Sequence, residues 1–178
     1  IFMEKTRFSQ NLLKIVICSL FAAMAVVIGS VCKLYLTFGS IRITFENLTI
    51  LLSGIMYGPV AGLLVGACTD LITCLTSAQP SINPLITLGA ASVGLTAGLL
   101  SMLLKNAKGF WKMVPCVFVP HIIGNMIIKS IALYMMGFHI GMLLPRVPLY
   151  LGIAACECAL IYMITQNKEI RKQSNYLK

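Results

Sequence analysis

Acidic residues are scarce in this 178-residue chain, with five Asp and Glu against fourteen Lys and Arg. Charged residues of both signs make up only 11% of it, where a soluble domain carries about a quarter. With 58% hydrophobic residues, the chain cannot clothe itself in polar side chains, so most of its surface must face lipid. The net charge of +9 would point to nucleic acid in a soluble protein. Here it suits basic flanks on the cytoplasmic side of membrane helices. The seven cysteines are odd in number and include no CxxC, which argues against a disulfide framework or a zinc site. They read as apolar packing residues. Also missing are a phosphate-binding Gly-rich loop, an acyl-transfer triad and a metal motif, and the inverted repeat of many secondary transporters. No cleavable leader is evident. The first apolar run, after Lys5, Arg7 and Lys14, has about the length of a full span and reads as a membrane anchor.

What is present is a series of continuous apolar runs. Six segments approach the roughly 20 residues that a span needs: about 10–31, 41–57 (short, with charge at its start), 59–75, 84–104, 113–136 and 145–165. Their continuity favours helices over the alternating pattern of a barrel. Lys5, Arg7, Lys14, Lys105, Lys108, Lys112, Lys168, Arg171, Lys172 and Lys178 fall on one side of this arrangement, and only Lys33, Arg42 and Arg146 on the other. The sequence thus predicts an all-α membrane protein, a bundle of six transmembrane helices with both termini cytoplasmic. It forms a single domain over 1–178 with basic tails at about 1–9 and 166–178. The cytoplasmic loops are plain, whereas the outer ones, "VCKLYLTFGSIRITF", "TSAQPSINP" and "MGFHIGMLLPRVP", hold aromatic, amide and hydroxyl groups.

In "MYGPVAGLLVGACTDLITCL", Gly58, Gly62, Gly66 and Asp70 recur every fourth residue, nearly along one helical face. Glycines there admit a neighbouring helix closely, because packing drives association in lipid. Pro59 suits a first helical position. Asp70 lies about 16 Å up that helix, in its outer half, where an ionisable group is a candidate functional residue; the alternative is a structural pair with Lys129 or Arg42. Arg42 and Glu46 stand four apart and can pair across one turn, or Arg42 is free to take an anion, since Arg matches a carboxylate bidentately. Arg146, between Pro145 and Pro148, sits in a rigid turn at the mouth of the last segment and is an anion-binding candidate. Lys129 lies deep in the fifth segment and needs a partner: Asp70, Glu157 or a ligand carboxylate. Glu157 reads as half of a structural pair and His121 as a packing residue. His139 is an outer-loop ligand candidate. The aromatics Tyr35, Phe38, Phe45, Tyr134, Phe138 and Tyr150 cluster toward the outer face; most suit an interfacial belt, and a few, with Phe45 and Tyr134 as candidates, can stack on a planar ring. In the first segment, Ser19, Ala22, Ala23, Ala25 and Gly29 supply small residues for helix contact.

"IRITFENLTILLSGIMYGPVAGLLVGACTDLI" resembles the signature of the S components of energy-coupling-factor vitamin transporters: an apolar span, a Gly-Pro turn, a Gly-rich helix, then an acid. "KSIALYMMGFHIGMLLPRVPLYL" is similar to the folate-specific branch, in which Leu-Pro-x-Arg precedes the last helix; Leu143–Arg146 matches, while "YMMG" replaces a tighter turn and Lys129 brings a charge where that branch carries small polar residues. The resemblance covers about 12–165. It implies a six-helix subunit of the bacterial cell membrane that captures its vitamin from outside and docks, through small residues of the first helix, on a transmembrane coupling subunit driven by two ATPases. It implies no cofactor of the chain's own and no enzymatic activity, ATP being used only on partner subunits. Folate binding would draw on Arg42 and Arg146 for its glutamate tail and Asp70 for pterin N–H groups, these three converging on one outer hollow, with Phe45, Glu46, Asn83, Lys129, Tyr134 and His139 as further binding candidates. The other readings are an S component for pantothenate or another anionic vitamin, a membrane scaffold subunit without ligand, and a membrane enzyme, for which Asp70, Glu157 and His121 would have to form an acid–base constellation from different depths.

Overall fold

The computed structural model describes residues 2–38, 41–76, 83–105, 109–168 and 170; the side chains of 2–9, 37, 38, 41, 42 and 142 lie outside the description. Helix α1 (Phe2–Tyr35) leads into a two-residue antiparallel pair, β1 (Thr37–Phe38) with β2 (Ile41–Arg42). There follow α2 (Glu46–Tyr57), α3 (Pro59–Leu75) and α4 (Pro84–Leu103). A continuous rod comes next, made of α5 (Phe110–Pro120), a π-helical segment (His121–Ile128) and α6 (Lys129–Met135). The short α7 (Ile140–Leu143) and the long α8 (Arg146–Gln166) complete the order. We call the end of the bundle that carries the β pair, Asn83 and Arg146 the hairpin end.

Six helical rods stand where six apolar segments are expected, but among the described residues four of them, Gln10–Tyr35, Pro84–Leu103, Phe110–Met135 and Arg146–Gln166, are long and apolar enough to cross a bilayer. Helix α3 is shorter, and α2 has 12 residues, about 18 Å against a hydrocarbon core of about 30 Å. The expected second span, 41–57, is cut short because Ile41 and Arg42 pair with the preceding strand and because Glu46, in the first turn of α2, is favoured at a helix N-terminus by the helix dipole. At its other end Gly58 takes φ 101°, a conformation open to glycine. Pro59 then starts α3 at a position where its missing N–H costs nothing.

The four-residue repeat of α3 packs on α4. A Cβ at Gly62 would overlap the carbonyl oxygen of Gly94 and come within 2.8 Å of Gly54 Cα; one at Gly66 would overlap Ala90 O, and one at Gly98 would stand 2.5 Å from Pro59 Cα. The two helices therefore meet backbone to backbone along an antiparallel register in which Gly98 faces Pro59, Gly94 faces Gly62 and Ala90 faces Gly66. Gly54 of α2 closes on the same Gly94 carbonyl. Such contacts are the usual glue of membrane helices, where lipid is as apolar as leucine. Around the seam lie Ile50, Leu51, Val65, Val93, Ala97, Val117, Ala154 and Ile161. On the opposite side of the bundle, Pro115 and Pro120 interrupt the backbone ladder of α5. Beyond Pro120 the pattern widens, and Lys129 N–H reaches Gly124 O, five residues back, as a π-helix requires.

Replacing Gly62 or Gly94 by Leu is expected to separate these helices. Overpacking costs about 1–3 kcal/mol even where neighbours can move, and a backbone carbonyl cannot. Thermal unfolding of the purified protein should show both variants strongly destabilised, while Gly152→Leu, at a position with open space around it, stays near wild type. A normal melting temperature for Gly62→Leu would contradict the seam.

Candidate functional site

At the hairpin end the seam finishes in a polar contact. Thr87 Oγ1 of α4 donates to Asp70 Oδ2 of α3 at 2.7 Å, one step beyond the Ala90–Gly66 contact. Asp70 thus continues the glycine face as expected, and among the described residues its partner is a hydroxyl rather than Lys129. Asn83 holds the start of α4: its Oδ1 accepts from Leu85 N at 3.0 Å, an N-cap that satisfies one of the free first-turn donors.

A second cluster is sealed inside the bundle. His121 Nε2 lies 2.7 Å from Glu157 Oε2, and Asn125 Nδ2 lies 2.9 Å from His121 Nδ1. All three residues are fully buried. The His121 ring stands 6.1 Å from that of Tyr150. Tyr150 OH accepts from Arg146 Nη2 at 3.2 Å, and the guanidinium sits 5.4 Å over the same ring. Arg146, Tyr150 and Glu157 share one face of α8, four and seven residues apart. A polar column thus runs from the mouth of α8 to mid-bundle. Glu157 is half of a structural pair, as expected, but its partner is His121, which the sequence reading treats as packing alone. The available signal was His121 and Asn125 four apart in "HIIGN", opposite a mid-span acid.

The remaining candidates are distributed around these two clusters. Tyr134 and His139 line an open recess of about 600 Å³ together with Gly137, Phe138, Ile140 and Gly141. Phe45 precedes α2, and Glu46 opens it with a carboxylate that packs against Gly29 of α1. Lys129 is 8% exposed at the start of α6. The side chain of Arg42 lies outside the described residues. Asp70, Arg42 and Arg146 are expected to share one hollow, yet neither Asp70 nor Arg146 lines this recess. Asp70 is bound to α4 and Arg146 to Tyr150. Helix α3 packs on α1, α2 and α4, whereas α8 packs chiefly on α5 and the π segment.

The small residues of α1 divide between two faces. Ala22, Ala25 and Gly29 are buried in the bundle, Ala25 completely and Gly29 under Glu46, so a partner cannot reach them. Ser19 and Ala23 face outward, on a stripe with the exposed Ile15 and Val27.

A family model described as "ECF transporter, substrate-specific component" matches residues 13–173. No curated protein matches the chain.

Breaking the buried His121–Glu157 pair from one side leaves an uncompensated group in the interior, which costs about 3–5 kcal/mol. Glu157→Leu should therefore lower the melting temperature sharply. Glu157→Gln, which keeps an acceptor for His121, should lower it less, and the double variant His121→Leu/Glu157→Leu should recover part of the loss. Wild-type stability in Glu157→Leu would remove the pair from the account.

Proposed function

Since the chain belongs to the substrate-specific components of energy-coupling-factor transporters, we propose that it captures folate at the extracellular face of a bacterial plasma membrane and passes it to the ATP-driven coupling module. The family makes it a multi-pass membrane subunit that binds a small-molecule substrate, works with membrane and ATPase partner subunits, and is not itself an enzyme, ATP hydrolysis residing in those partners. What supports the finer reading is that Arg146, in the "LLPR" match, stands at the hairpin end five residues after Gly141, which lines a recess with Tyr134 and His139. A volume of about 600 Å³ falls within the range of small-molecule sites. A scaffold subunit would have no use for it.

In this reading Arg146 and Arg42 hold the glutamate tail. Asp70 accepts pterin N–H groups, and Tyr134 and Phe45 stack on the ring. Glu46, Asn83, Lys129 and His139 complete the polar surround. The chain brings no cofactor of its own to this task. The basic residues Lys14, Lys105, Lys112 and Lys168 and the exposed Trp111 belong to the other end, which supports the reading of that end and both termini as cytoplasmic. Ser19 and Ala23, on the outward stripe of α1, are the residues left to meet the coupling subunit. Pantothenate or another anionic vitamin is the second reading, favoured by the charge that Lys129 adds.

Folic acid is expected to bind the purified protein in equilibrium titrations, with pantothenate competing weakly. Arg146→Ala should weaken binding by about 10- to 100-fold, the worth of a hydrogen bond to a charged group, while leaving the melting temperature of the ligand-free protein within a few degrees of wild type. Failure to bind folate or any related pterin would overturn the folate assignment, and an unchanged dissociation constant in Arg146→Ala would overturn the role of that residue.

A further inference from the structure

Lys129 is the first residue of α6, immediately after the π segment. It lies six residues before the end of that helix at Met135, or about 9 Å below it. Its stem crosses α4 at Gly89, where an added Cβ would stand 2.6 Å from Lys129 Cγ. The bundle thus has a seat for this lysine that a side chain on α4 would fill. The residue is 8% exposed, too enclosed to be reaching along the helix to the interface. Among the described residues no carboxylate or hydroxyl holds its amine. Asp70 is engaged with Thr87, Glu157 with His121, and Glu46 packs on α1. The other two acids, Glu4 and Glu169, belong to the basic tails. The amine is nevertheless not sealed off: the enclosed polar atoms without partners include Glu157 Oε1 and Asn125 Oδ1 but not Lys129 Nζ. A cation at this depth is expensive unless it meets an opposite charge or faces a water-filled cavity.

We propose that Lys129 is an intramembrane anchor for an anionic group, a carboxylate, of the molecule this subunit captures. The proposal rests on the reading of the chain as a capture subunit and adds the chemical class of its cargo: the ligand must bear a negative group that reaches past the rim to the level of Gly89. In the empty protein the same lysine is a liability, kept for binding rather than for stability.

Two properties of Lys129→Met, a swap of similar length without charge, therefore move in opposite directions. The test is thermal unfolding of the full chain in a neutral detergent, alone and with folic acid, pantothenate, or riboflavin as a vitamin without a carboxylate. The expected result is a ligand-free Lys129→Met variant that melts a few degrees above wild type, together with loss of the stabilisation that a carboxylate vitamin gives the wild type and at least a tenfold weaker affinity for it. Lys129→Arg should retain part of the binding. A ligand-free variant that melts lower would reveal a structural partner for Lys129 and overturn the proposal. Equal stabilisation of both proteins by riboflavin would overturn the anchor while leaving the capture reading intact. If no vitamin of the set stabilises the wild type, the proposed cargo is wrong, and the ligand-free comparison still decides whether Lys129 is an uncompensated charge. Stabilisation of wild type by added phosphatidylglycerol, lost in Lys129→Met, would assign the anion to a lipid headgroup and overturn the proposal.

Discussion

Helices α3 and α4 approach each other so closely that backbone touches backbone, and the rest of the bundle is arranged around that contact. Gly62 against Gly94, Gly66 against Ala90 and Gly98 against Pro59 leave no room for a Cβ at any of the four glycines. In lipid there is no hydrophobic force to bring helices together, so close dispersion contact between small residues has to do it. The Gly94 carbonyl also receives Gly54 of α2. One peptide group of α4 thus fixes three helices, two of which are too short to cross a bilayer unaided.

The other side of α4 has a different use. There Gly89 admits the π segment, whose Gly124 would bring a Cβ within 2.7 Å of Gly89 O, and seats the stem of Lys129. Proline breaks the regular ladder of this rod, and the widened turns carry His121 and Asn125 into the interior, toward Glu157. The polar groups at the hairpin end are therefore mounted on both flanks of one rigid helix, Asp70 through Thr87 and Lys129 through Gly89. A subunit that must bind a polar vitamin inside an apolar bundle needs such rigid mounts, since a charged group without a fixed position would lose more by desolvation than a loosely held ligand could return.

Much of this architecture was legible in the sequence. The apolar runs marked the rods, and the glycine repeat ending in Asp70 marked the face that packs. The answering Ala90, Gly94 and Gly98 in "LGAASVGLTAGLL" show the same four-residue spacing, yet spacing does not say which two helices will meet. Hydropathy overstated the second span because it reads composition and cannot see Ile41 and Arg42 entering a β pair. The partners of ionisable groups were the least legible. Asp70 met a hydroxyl seventeen residues away, and Glu157 met a histidine thirty-six residues away. Such choices depend on helix rotation, which a π segment changes in a way that a 3.6-residue period does not anticipate. The division of Ala22, Ala25 and Gly29 from Ser19 and Ala23 likewise needed the rotation of α1 about its axis.

The central claim is that this helical bundle captures a negatively charged vitamin at its hairpin end. The most direct measurement is mass spectrometry of the small molecules released on denaturing protein purified from cells grown in rich medium. The account predicts about one equivalent of a carboxylate-bearing vitamin, with folate the leading identity. A stoichiometric neutral compound, or protein that carries nothing and takes up no vitamin when offered one, would contradict it.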